Sequence, residues 1–74
     1  MGPWEKIVGA NVRRLRTERG LTQEQLAFEA GIAMRYIGMI ERAETSATVG
    51  MLGKLAAVLG VEPGALLSAT ESPA

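Results

Sequence analysis

The hexapeptide Leu21-Thr22-Gln23-Glu24-Gln25-Leu26 specifies a helix start twice over, and no other stretch limits the fold of this chain as tightly. Thr22 and Gln25 stand three apart, the spacing of a capping box: the threonine hydroxyl takes the Gln25 N–H while the glutamine side chain reaches back to the Thr22 N–H. Leu21 and Leu26 flank that cap at the two positions of a hydrophobic staple, so the same six residues also set the angle at which the helix begins. The helix then carries Leu26, Ala27, Phe28 and Ala30, and Gly31 is expected to stop it after about two turns.

The rest of the chain divides around similar punctuation. A first helix, about Trp4 to Arg19, places Trp4, Val8, Val12 and Leu15 on one stripe with Ile7 beside it, and Gly20 closes it. After Gly31 a third helix runs from about Met34 to Arg42, with Ile32 and Ile37 in staple register. Ala33 occupies its cap position without a side-chain acceptor, a loss of about 1 kcal/mol. Thr48 caps a fourth helix, Val49 to Leu59, which turns Leu52, Leu55, Ala56 and Leu59 inward and stops at Gly60. Gly50 and Gly53 each weaken it by up to about 1 kcal/mol, so packing must hold it. Pro63 opens a last short helix through Leu67. The expectation is one all-α domain over residues 1–67, followed by a flexible tail over 68–74. Trp4 and Phe28 are expected in its core.

Composition narrows the chemistry. The 74 residues are enough for one domain, and they include no cysteine, histidine or aspartate. Disulfides, zinc sites, thiol nucleophiles and imidazole bases are thereby excluded. The eight acidic groups are all glutamates, and no pair of them is spaced to face another, so an enzyme, a metal site and a cofactor are not expected. No apolar run reaches bilayer length, and the start lacks a signal-peptide pattern, which makes a soluble cytoplasmic protein the expectation. Net charge is zero but unevenly spread. Residues 1–20 hold five cations against two carboxylates, and residues 21–74 hold three against six.

Two short helices joined at Gly31 make a helix-turn-helix candidate at about residues 22–42. With Ile37 taken as the inward direction of the third helix, Ile40 and Ala33 fall near it at 100° per residue, while Arg35, Met39 and Arg42 share the opposite face. A major groove admits a helix with such a face, and an arginine there can donate two hydrogen bonds to guanine.

The run Arg16-Thr17-Glu18-Arg19-Gly20-Leu21-Thr22-Gln23-Glu24-Gln25-Leu26-Ala27, together with Ala30-Gly31-Ile32, Tyr36 to Arg42 and Leu52 to Val61, resembles the phage repressor and Cro type of helix-turn-helix, also called XRE-like. The resemblance covers about residues 7–67. The strings Tyr36-Ile37-Gly38 and Ile40-Glu41-Arg42 are also similar to those of the controller proteins of restriction–modification systems. The resemblance implies a five-helix, lambda-repressor-like domain that binds double-stranded DNA to regulate transcription. The helix at about 34–42 would lie in the major groove, and the unit would be a homodimer.

Carried over position by position, Thr22 and Gln23 fall at the DNA-facing start of the second helix, where Gln23 matches a phosphate-contacting glutamine. Met34, Arg35 and Met39 match base-reading positions, with Arg35 the candidate for guanine. Tyr36 lies on the flank, within reach of a phosphate. Arg16 and Glu41 match a structural ion pair between the first and third helices. The chain departs from the pattern at Ala33, Ala43, Glu44 and Ala47, which lowers the expected affinity without changing the fold. A competing expectation is that the small and flexible residues Met34, Gly38, Met39, Ala43, Ala47, Gly50, Met51 and Gly53 form a protein-binding face, for self-association or an antitoxin-like partner. Neither reading implies a membrane or a small-molecule substrate.

Overall fold

The computed structural model describes residues 2–69. Four α-helices follow one another, α1 (Pro3–Glu18), α2 (Gln23–Ala30), α3 (Met34–Glu41) and α4 (Val49–Leu59), and a 3-10 turn (Pro63–Leu67) completes the chain. The described residues contain no strand. The last short helix expected after Pro63 is therefore a 3-10 segment rather than an α-helix. Residues 70–74, most of the expected tail, lie outside the described residues.

Each boundary has a local cause. Thr22 accepts from the Gln25 N–H at 3.0 Å and the Gln25 side chain accepts from the Thr22 N–H at 2.8 Å, so both halves of the capping box form. Thr48 caps α4 by accepting from the Met51 N–H at 3.0 Å. All four α-helices close in the same way: an N–H two or three residues past the helix returns five positions, as in Leu21 to Arg16, Ile32 to Ala27, Glu44 to Met39 and Val61 to Ala56. That closure puts the preceding residue in the left-handed region, where glycine carries no Cβ penalty. Gly20, Gly31 and Gly60 fill three of these places, and Ala43, at φ 60°, fills the fourth.

The core forms where the helices cross. Val8 and Val12 from α1, Leu26, Ala27 and Ala30 from α2, Ile37 and Ile40 from α3, and Leu55, Ala56 and Leu59 from α4 are buried, with Ile32 and Leu66. Each large aliphatic side chain so buried contributes about 1.5–3 kcal/mol. In the layout that results, α1 packs on α3 and on the 3-10 turn, while α2 packs on α3 and α4.

Two core expectations fail. Phe28 is 87% exposed, because Leu26, Ala27 and Ala30 fix the inward direction of α2 and Phe28 lies 200° around the helix from Leu26. Trp4 is 60% exposed: it sits in the first turn of α1 and lines a shallow surface groove with Val8, Leu52 and Leu67 rather than filling the interior.

Asn11, which no apolar stripe marks, is fully buried in this core. Its amide nitrogen donates to the carbonyls of Leu66 at 2.9 Å and Ser68 at 2.8 Å, with a longer approach to Ala65 at 3.4 Å. A buried amide is tolerated when its hydrogen bonds are made, and here they clamp the 3-10 turn, together with Ser68 at the start of the expected tail, onto α1.

Candidate nucleic-acid interface

The turn between α2 and α3 is short because Gly31 adopts φ 69° and reverses the chain within one residue. Ile32 is buried and fixes the junction from below. Ala33 follows as an extended N-cap with no side-chain hydrogen bond, so the first turn of α3 has no side-chain acceptor, and the Tyr36 N–H returns to the Ala33 carbonyl at 2.9 Å. Being extended, Ala33 does not obey the 100° count and is exposed, not inward as the helical projection placed it.

Burial of Ile37 and Ile40 turns the opposite side of α3 to solvent. Met34, Arg35 and Tyr36 are exposed there, and the Arg35 guanidinium lies 5.9 Å from the centre of the Tyr36 ring, at the limit of a cation–π contact. Arg35 has no carboxylate partner among the described residues. Met39 is half-buried, so the face expected to carry it fully in solvent is narrower than the projection suggests. Arg42 is exposed but engaged: its Nε and Nη2 donate to the two oxygens of Glu44, each at 3.0 Å.

One polar network sets the angle of α3. Arg16 donates from Nε to Glu41 Oε2 at 2.6 Å and from Nη2 to Oε1 at 3.1 Å, and its Nη1 reaches the Leu21 carbonyl at 2.8 Å. Gln23 Nε2 adds a third bond to the same carboxylate at 3.0 Å. The hydrogen bond to Glu41 holds the Arg16 guanidinium above its usual range, against the opposing effect of burial. Two-point pairing of this kind is directional. Here it ties α1, the α1–α2 turn, the start of α2 and the end of α3 into one frame. The Gln23 amide, expected on a phosphate, thus serves as an intramolecular donor. No local pattern could have announced this, because Gln23 and Glu41 are 18 residues apart in the chain. At the start of α2 the capping box occupies the N–H groups of Thr22 and Gln25, and the remaining first-turn N–H groups, those of Gln23 and Glu24, face the helix end, where an anion is favoured.

The proposed protein-binding face is not continuous. Gly38 is buried, and Met39, Ala43, Ala47, Met51 and Gly53 are each half-buried. Met34 and Gly50 remain exposed. Among the described residues no group of carboxylates could hold a metal ion, and no helix is long and apolar enough to cross a membrane.

Comparison with known proteins agrees with this geometry. The helix-turn-helix family model (HTH_3) matches residues 12–66. The chain is 41% identical over 66 residues to the uncharacterized HTH-type transcriptional regulator y4dJ of Sinorhizobium fredii, covering 89% of this chain and 86% of that protein. The crystal structure of the restriction–modification controller protein C.AhdI from Aeromonas hydrophila superposes with a TM-score of 0.81 at 39% identity, over 84% of this chain and 94% of that one. The biofilm master regulator SinR, in a crystal structure with DNA, superposes with a TM-score of 0.79 at 35% identity, over 82% of this chain and 98% of that one. With the turn at Gly31, the Arg16–Glu41 frame and a family match over most of its length, the chain belongs to the helix-turn-helix (HTH_3) family of DNA-binding transcriptional regulators.

Proposed function

We propose that this protein binds double-stranded DNA sequence-specifically as a small cytoplasmic transcriptional regulator, with α3 lying in a major groove. The observation that carries this reading is Arg35, an exposed guanidinium on the solvent side of α3, without a carboxylate partner among the described residues and held in register by the buried Ile37 and Ile40. An arginine so presented can donate two hydrogen bonds to O6 and N7 of guanine. Met34 and Met39 flank it and supply apolar contact suited to a thymine methyl. Thr22, Gln23 and Tyr36 stand where backbone phosphates pass, Gln23 through its N–H at the helix start.

The functional unit is residues 1–67, in which the 3-10 turn takes the place of a fifth helix. Two copies acting as a homodimer would read half-sites about 34 Å apart. The DNA-bound SinR structure supports the choice of partner.

Selection of bound duplexes from a random pool tests the reading. A single guanine-containing motif should emerge, and Arg35→Ala should relax preference at one position by about 1–3 kcal/mol. Recovery of no motif, or binding indifferent to salt, would sink it.

A further inference from the structure

Along one side of α1, Lys6, Arg13 and Arg14 form the wall of an open groove whose opposite wall is the end of α3, with Arg42 at its rim. The α1 wall continues to Thr17, so at 1.5 Å per residue it runs about 16 Å, enough to follow several phosphates of one strand. The charged ends of Lys6 and Arg13 have no hydrogen-bond or ion-pair partner among the described residues. The Glu41 carboxylate at the groove's edge is already matched by Arg16, so it does not cancel them.

Arg42 is different. Its Nε and Nη2 each meet one oxygen of Glu44 at 3.0 Å, the two-point geometry in which a guanidinium also takes a phosphate. Both side chains are more than half exposed, at 58% and 52%, so water screens the pair and a competing anion can reach it. Glu44 follows α3 by only two residues beyond Arg42, and the closure at Ala43 turns it back toward the guanidinium.

Resting on the DNA-binding reading above, we infer that this α1–α3 groove binds backbone phosphates flanking the bases read by α3, and that Glu44 is an internal phosphate mimic occupying Arg42 until DNA displaces it. The groove accounts for how a chain of zero net charge presents a cationic strip to DNA. Glu44 sets the strength of that strip by making the phosphate compete for one of its cations.

The test is a titration of a selected duplex between about 50 and 200 mM salt, the range over which phosphate contacts are resolved. Each phosphate contact contributes about 0.9 to the slope of log affinity against log salt. The Lys6→Ala/Arg13→Ala variant should flatten the slope by about 1.8 while selecting the same motif, and Glu44→Gln should tighten binding by roughly two- to fivefold, because the phosphate no longer competes with a carboxylate for Arg42. Arg35→Ala should instead relax the motif. An unchanged slope in the double variant overturns the groove, and unchanged affinity in Glu44→Gln overturns the mimic. In both cases salt-dependent wild-type binding would leave the DNA-binding reading standing. Wild-type protein that binds no duplex, or binds one without salt dependence, removes that reading and this inference with it.

Discussion

The α-carbon of Gly9 packs against the carbonyl oxygen of Ile40, so closely that a β-carbon at position 9 would collide with the backbone of α3 there. This is the point where α1 crosses the end of α3. The colliding atoms are main chain, which cannot rotate aside as a side chain would. Gly9→Ala should therefore cost about 3 kcal/mol, the upper part of the range for overpacked interiors. Urea denaturation checks it: the midpoint should fall with the slope unchanged. A midpoint equal to wild type would mean that α1 can ride away from α3 freely.

Ala43 closes α3 in the conformation that Gly20, Gly31 and Gly60 adopt elsewhere. A β-carbon in the left-handed region is penalised by roughly 1–2 kcal/mol, partly offset because glycine gains entropy in the unfolded chain. Ala43→Gly should stabilise the protein by about 1 kcal/mol, raising the thermal midpoint by about 4–8 °C for a domain of this size. Calorimetry would show it. A fall in the midpoint would mean that Ala43 makes a packing contact worth more than its strain.

Arg16 and Glu41 are nearly buried, with side-chain exposures of 13% and 3%. Removing one partner strands the other, so Glu41→Ala should cost about 3–5 kcal/mol. The double variant Arg16→Met/Glu41→Leu should recover much of that loss, because it removes both desolvated charges together. A thermodynamic cycle over the two single variants and the double variant measures the coupling. Additive losses would show that each residue acts through separate contacts.

Glu5 links the start of α1 to the α3–α4 loop by accepting from the Ser46 hydroxyl at 2.6 Å, and that hydrogen bond is the largest cause holding its carboxyl below the ordinary value of 4.5. A carboxylate depressed in the folded state contributes stability that is present above its ordinary value and is lost as pH falls through the folded one. Ser46→Ala should thus be less stable than wild type at pH 7, with the gap closing as the solution is acidified below about pH 4.5. Urea curves at several pH values test this; a gap independent of pH would assign Ser46 a role that does not involve Glu5.

Much of the fold was legible because its signals are local. The capping box at Thr22 and Gln25, the Thr48 cap and the glycine stops each act within five residues, and the helices begin and end within a residue of where those signals put them. Phe28 was also legible in principle, since the helical arithmetic that buries Leu26 and Ala30 turns it outward. Gly9 and Asn11 were not legible. Glycine within a helix reads as weakness and asparagine as surface, and only the approach of α3 and the 3-10 turn gives either residue its role.

By itself, then, the sequence determined the helical punctuation, the inward stripes and the presence of a helix-turn-helix, all of which follow from spacing along a single helix or turn. Tertiary structure decided which polar groups are free. Gln23 is drawn onto Glu41, Arg42 onto Glu44, and Arg35 is left open to solvent, because a hydrogen bond depends on where two elements meet in space and not on the residues either one contains.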